Sequence, residues 1–220
     1  MKAGGVDVRV ESAIRRSELA DLAPDAREGL VWFTREVDLW SERIHLVGRG
    51  RRGRNIGLLV LDSLLLLRVA EERGLAMNRA ADVGSGAGFP GMVWKIARPR
   101  LDLTLFERRL KPQLFLERIV AHSGLAGVRV VAAEAERAGN HGGFDLVVSK
   151  AAGRIETMLP LAEELLRPGG AYLTVKGRLW REEAEAPGKG PMPLEAAVAL
   201  PEKRGTALIF RKTGPAQCFT

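Results

Sequence analysis

The sequence predicts an α/β fold: a mostly parallel, seven-stranded sheet with helices on both faces, preceded by a small N-terminal helical extension. Three observations carry that expectation. From Arg79 onward short apolar runs alternate with helical patterns, the arrangement that builds parallel strands with right-handed crossovers. The first run, Arg79 to Val83, stops at Gly84-Ser-Gly-Ala-Gly88-Phe-Pro-Gly91 and a helical pattern follows at once. Glycines there can take positive φ and let a ligand approach the backbone at a strand's carboxyl end. Two last strand-like runs, Ala196 to Leu200 and Thr206 to Arg211, follow a Gly/Pro-rich gap at 187–193 and read as a hairpin-like pair with an antiparallel final strand.

Taken in order, residues 1–11 read as a loose terminus and Ser12 to Leu22 as a short helix. From Ala26 to Val47 the residues Leu30, Phe33, Val37, Trp40 and Ile44 recur at three- and four-residue steps, which places them on one helix face. Asp25, after Pro24, would cap that helix, and Trp32, Phe33 and Trp40 read as core. Gly48 to Arg54 alternates glycines with Arg49, Arg51, Arg52 and Arg54. It is not a helix in isolation; its guanidinium forks suit phosphate oxygens, and a solvated loop is the other reading. Leu58 to Leu75 is an apolar helix closed by Glu71-Glu72-Arg73-Gly74. Residues 1–78 therefore read as a helical subdomain and 79–220 as the ligand-binding domain. Within the latter, Leu101–Phe106, Val128–Ala132, Phe144–Ser149 and Ala171–Val175 read as strands. Lys111–Ser123 and Ile155–Leu166 read as helices.

Composition narrows the classes. The 220 residues are 46% hydrophobic and carry a net charge of +7, enough for one substantial domain with a small appendage. From Arg79 onward 21 Lys/Arg face 15 Asp/Glu, so the excess lies with the ligand-binding domain and suits a polyanion such as RNA. The single cysteine, Cys218, excludes an internal disulfide framework and points to a reducing compartment. Three scattered histidines, His45, His122 and His141, offer no ligand spacing, so no metal is expected. The run Leu58–Leu67 is too short to span a bilayer and contains Asp62 and Ser63. With no signal-like start, a cytoplasmic protein without membrane contact is expected.

The glycine loop has two readings. Gly86-x-Gly88-x-x-Gly91 fits a dinucleotide fingerprint, and Asp82-x-Gly84-x-Gly86-x-Gly88 fits the S-adenosylmethionine loop of Rossmann-like methyltransferases. Asp82 favours the second, because a carboxylate at the loop's start attracts a sulfonium or amino group and repels a pyrophosphate. Glu107 closes the second strand about 20 residues on, where a carboxylate accepts hydrogen bonds from both ribose hydroxyls of an adenosine. Ala135 and Glu136 follow the third strand and would frame an adenine edge. Lys150 ends the fourth strand and points into the same crevice. Helix, Pro168-Gly169-Gly170 turn and apolar strand, running on to Lys176-Gly177, are habitual before the fifth strand of methyltransferases and not expected in dinucleotide dehydrogenases.

On Asp82–Gly91, Leu61-Asp62-Ser63-Leu64, Lys111 with Phe115-Leu116, Ala135-Glu136, Phe144-Asp145, Ser149 and Lys176-Gly177, the chain resembles the bacterial small-subunit ribosomal RNA methyltransferase G family, also called glucose-inhibited division protein B. The resemblance covers about Trp40 to Lys212 and implies a Rossmann-like class I methyltransferase. Its cofactor would be S-adenosyl-L-methionine, its partner 16S ribosomal RNA or a small-subunit precursor, and its product a guanine methylated at N7. It makes Gly84 and Phe89 loop contacts to the donor alongside Asp82 and Gly86, and Ala135 and Glu136 adenine contacts. Lys150 stands in the place of a family arginine, and Lys176 lies near the target guanine as the catalytic lysine. A monomer is expected.

Several RNA-side positions depart from the family. Leu58 and Leu59 replace an Arg-His pair, His45-Leu46-Val47 an Asn-Leu-Thr, Lys111-Pro112 a Lys-Arg, and Thr206 an arginine before the last strand, with Lys203 and Arg204 close by. The alternatives are a methyltransferase acting on another RNA or small molecule, and a nicotinamide-dinucleotide dehydrogenase. Methyl transfer to guanine N7 uses an available lone pair and needs no general base. The chain accordingly has no Asn-Pro-Pro-Tyr-like motif after the fourth strand and no internal cysteine.

Overall fold

After three helices, α1 (Gly4–Ser17), α2 (Pro24–Ile44) and α3 (Arg52–Glu72), the chain alternates between sheet and helix. It runs β1 (Arg79–Val83), α4 (Gly91–Ala97), β2 (Asp102–Phe106), α5 (Leu110–Ser123), β3 (Val128–Val131), β4 (Phe144–Lys150) and α6 (Ile155–Leu165). It closes with β5 (Leu166–Lys176), α7 (Trp180–Glu185), β6 (Leu194–Ala199) and β7 (Thr206–Arg211). The computed structural model describes residues 4–19, 22–47, 52–132, 142–185 and 192–214. The predicted site residues Ala135 and Glu136, the loop residues Arg49 and Arg51, the side chains of Arg52 and Arg54, and also His141 and Cys218 lie outside the described residues.

The seven strands form one sheet in the order β3-β2-β1-β4-β5-β7-β6. β1 pairs in parallel with β2 and β4, β2 with β3, and β4 with β5, while β7 pairs antiparallel with both β5 and β6. The last two strands are the expected hairpin-like pair. Insertion of β7 between β5 and β6 departs from the 3-2-1-4-5-6 order of dinucleotide-binding domains and decides between the two readings of the glycine loop. Strand order reverses between β1 and β4, the kind of switch point beyond whose carboxyl ends such sheets bind their ligands.

Side-chain alternation along the strands feeds two cores. On one face Ala80, Leu103, Leu105, Leu146, Val148 and Leu173 join buried residues of α1 to α5. On the other Ala81, Val83, Phe106, Val147, Tyr172 and Phe210 meet Ile155, Leu159, Ala162 and Leu165 of α6. The first cluster runs from Val6 to Ile209, so residues 1–78 and 79–220 share one core. Among the described residues no helix is long and apolar enough to cross a membrane.

Four local expectations are corrected. The predicted loose terminus is helical from Gly4, because Val6, Val10, Ala13 and Ile14 form a buried stripe. Asp25 is not the cap of α2: Ala23 holds that position without a side-chain hydrogen bond, and Pro24, which lacks an N–H, takes the first turn with Asp25. α3 starts at Arg52, taking in residues read as loop, and ends at Glu72 rather than Leu75. There Gly74 at φ +60° and the bonds Gly74 N to Glu71 O (2.9 Å) and Leu75 N to Ala70 O (2.9 Å) stop it. β5 begins at Leu166 instead of Ala171. Leu166 still pairs with Phe144, the register is then irregular, and pairing resumes at Leu146 with Ala171. The short α7 was not expected.

Helix α2 lies against the glycine loop: the rings of Phe33 and Phe89 are 5.3 Å apart and both are buried. Phe33→Ala should destabilise the fold by about 3–5 kcal/mol in urea unfolding; a loss below about 1 kcal/mol would show that this contact is dispensable.

Candidate functional site

The loop after β1 is held by the neighbouring strand. Gly84 N and Ser85 N both donate to Phe106 O of β2 (3.0 and 3.1 Å), so the chain turns over the neighbouring strand. Gly84, Gly86 and Gly88 have φ of +74°, +57° and +89°, conformations that L side chains rarely adopt. Gly91 then opens α4 with its N–H on Asp82 Oδ2 at 2.9 Å. A Cβ at Gly91 would stand 2.7 Å from that oxygen and 2.7 Å from Leu105 Cδ2, so only glycine brings the helix start this close to the strand.

Asp82 is completely buried, and its second oxygen, Oδ1, has no hydrogen-bond partner. Burial pushes its carboxyl up to about 7, with the charge of Glu107 adding to the effect and the Gly91 bond, the charge of Lys150 and the nearby Ser85 hydroxyl, which donates to the Asp82 backbone carbonyl at 2.8 Å, opposing it. Such a group is costly unless it is partnered. One buried acceptor is therefore left over beneath the cradle.

Glu107, at the tip of β2, is also buried but fully engaged. Oε2 accepts Gly86 N at 2.8 Å and Arg109 Nη2 at 3.3 Å; Oε1 accepts Arg109 N at 2.9 Å and Arg109 Nε at 3.1 Å. Burial raises its carboxyl, yet the bonds from Arg109 and from the Arg109 and Gly86 amides outweigh it and hold the group below the usual carboxylate range. Beside it a cleft of about 460 Å³ opens between the end of α2 (Ile44, His45, Leu46), Gly86 and Arg109 to Pro112.

The remaining predicted residues follow along the strand tips. Lys150 ends β4, opposite Val175 of β5, and its amine is held below the ordinary lysine range by burial, with Asp62 and Asp82 opposing and Arg204 adding to the effect. Lys176 ends β5, its Nζ donating to Gly153 O (2.6 Å) and to Glu183 Oε2 of α7 (2.9 Å). Beneath, Ser149 Oγ bonds the Tyr172 hydroxyl at 2.7 Å. Phe89 turns its side chain away, into the core against Phe33, which leaves its backbone to the loop. The structure thus brings Asp82, Gly84, Gly86, Glu107, Lys150 and Lys176 to one edge of the sheet.

Two contributors were not singled out from the sequence as site residues. Arg204 forms an ion pair with Asp62 of α3 and also donates to Leu58 O at 3.4 Å. Thr206 lies within the β5–β7 ladder opposite Lys176, and the charge of Arg204 acts on the Lys150 amine. Ser63, next to Asp62, is buried and accepts the Trp94 indole on its carbonyl at 2.7 Å, which fixes α3 against α4. The Leu-Asp-Ser run was the available signal.

Sheet order and the glycine cradle together define a Rossmann-like fold of the kind found in class I methyltransferases. Solved structures bear this out: a SAM-dependent methyltransferase from Aquifex aeolicus aligns with a TM-score of 0.55 at 16% identity, covering 78% of this chain and 96% of that one. A putative S-adenosyl-L-methionine-dependent methyltransferase from Methanococcus maripaludis aligns at 0.52 and 12% identity, covering 83% and 93%. Within that class the chain belongs to the GidB family, rRNA small subunit methyltransferase G, whose pattern matches residues 26–199. Among the relatives that bear the name Ribosomal RNA small subunit methyltransferase G are one from Sorangium cellulosum and one from Alkalilimnicola ehrlichii. The one from Sorangium cellulosum is 42% identical over 162 residues, 70% of this chain and 66% of the relative. The one from Alkalilimnicola ehrlichii is 36% identical over 167 residues, 75% and 73%.

The raised Asp82 carboxyl has a definite sign. The folded chain keeps a proton that the unfolded chain releases above 3.8, so stability from this group falls as pH rises from about 4 to about 7 and is level beyond. Asp82→Asn keeps an acceptor for Gly91 and abolishes the titration. Denaturation of the ligand-free proteins should show the variant gaining on the parent across that range, by roughly 2–4 kcal/mol at pH 8; a pH-independent difference would contradict the assignment.

Proposed function

We propose that the chain transfers the methyl group of S-adenosyl-L-methionine to N7 of a guanine in 16S ribosomal RNA, within the cytoplasm. The observation that carries the reading is Asp82: a buried carboxylate with one unused oxygen, under a glycine cradle at the β1–β4 switch point, in a chain of this family. That oxygen suits the donor's amino group, reached across a small movement of the loop or through one water. Glu107 suits the ribose, Gly84, Gly86 and the Phe89 backbone suit the methionine and ribose edges, and Ala135 with Glu136 the adenine.

The donor, when bound, supplies an activated methyl group and leaves as a neutral thioether. Guanine N7 has a lone pair in the plane of the base, so the nitrogen–carbon bond forms as the sulfur–carbon bond breaks and no proton departs. The protein's work is alignment and charge placement. Positive charge passes from sulfur to the base, and the cations beside that path are already compensated: Lys176 by Glu183, Arg204 by Asp62. Lys176 can hold guanine O6, the acceptor adjoining N7. Residues 1–78 act as the helical extension that frames the cleft, with 79–220 as the donor-binding domain.

The test is transfer of labelled methyl from S-adenosylmethionine to small-subunit RNA lacking the modification, followed by mass mapping. One 7-methylguanine is expected; no transfer to RNA, or a methyl on another atom, would contradict the reading. Lys176→Ala should lower transfer about 10–100-fold while donor affinity stays within about two-fold; equal loss of both would remove Lys176 from the catalytic step.

A further inference from the structure

Glu107 has two oxygens and about four lone-pair sites, and four donors from the chain itself occupy them. The occupants are of two kinds. Gly86 N and Arg109 N, at 2.8 and 2.9 Å, come from the backbone. Arg109 Nε and Nη2, at 3.1 and 3.3 Å, come from a side chain that is 66% exposed while Glu107 is 3% exposed. The longer, exposed pair is the one that can leave.

Its shape is informative. One guanidinium edge presents two N–H donors, one to each carboxylate oxygen, and a vicinal ribose diol presents two O–H donors to the same two oxygens. The guanidinium also lies over the loop, since a Cβ on Gly86 would come within 3.7 Å of Arg109 Nη2. Arg109 lines the cleft together with Lys111.

We propose that Arg109 is a built-in stand-in for the donor's ribose: it occupies the diol's two positions on Glu107, is expelled when the donor binds, and then presents its charge at the cleft rim to a phosphate of the RNA. The inference rests on the proposed function, because it takes the ribose seat at Glu107 from there. Donor and RNA then favour each other's binding, since each takes one partner of the same internal pair, and the coupling is reciprocal. The carboxylate meanwhile never stands buried and unpaired.

Calorimetry with S-adenosylhomocysteine on the parent protein, Arg109→Ala and Arg109→Lys tests this. The alanine variant should bind about three- to five-fold more tightly, the size that loss of a largely exposed ion pair allows. Lysine should fall between, because a single ammonium does not span both oxygens. Saturating S-adenosylhomocysteine should tighten the parent's binding of a small-subunit RNA transcript, and that tightening should vanish in Arg109→Ala. Unchanged or weaker S-adenosylhomocysteine binding by Arg109→Ala would overturn this inference alone. No binding by the parent would overturn the proposed function and the inference with it.

Discussion

The hydrogen bond from Gly91 N to the buried carboxylate of Asp82 is the constraint on which the site depends. It joins the end of β1 to the first turn of α4 across the whole loop, and it does so with a group that is expensive to bury. Two structural conditions follow from it. Position 91 must lack a Cβ, because strand and helix start approach too closely for one. The loop must also be braced from outside, and Phe33 of α2 provides this by packing on Phe89. The N-terminal helices are in this sense part of the loop's foundation.

Around that bond several of the described charges form linked pairs. Asp62 and Arg204 connect α3 to the segment before β7, and Lys176 and Glu183 connect β5 to α7. Glu107 and Arg109 close the pair at the tip of β2. Lys150 sits among Asp62, Asp82 and Arg204, close enough for all three to influence its amine. Such an arrangement suits chemistry that moves a positive charge from donor to base, because the fixed cations nearby are matched by carboxylates.

Much of the architecture was legible because it rests on local pattern. The apolar runs, the glycine loop and the final hairpin placed seven strands and a ligand site beyond their carboxyl ends, while the reversal of strand order between β1 and β4 comes from the three-dimensional pairing. The errors have local causes too. Val6, Val10 and Ile14 carry a helical stripe in a segment that opens with two glycines, and the Gly/Arg run conceals the start of α3 at Arg52. At the site, spacing put Asp82 and Glu107 at adjacent strand tips, but spacing carries no information on burial. That one oxygen of Asp82 is consumed by Gly91, or that Glu107 is already satisfied by Arg109 two residues away, appears only in three dimensions. Asp62 with Arg204 joins residues 142 positions apart, and Lys176 with Glu183 depends on a six-residue helix with no strong sequence signal.

The most direct measurement is a crystal structure of the protein with S-adenosylhomocysteine. The account predicts the methionine amino group on Asp82 Oδ1, directly or through one water, and the ribose hydroxyls on Glu107 above Gly86. Density for the ligand away from the β1–α4 loop, with Asp82 and Glu107 keeping only the contacts described above, would contradict it.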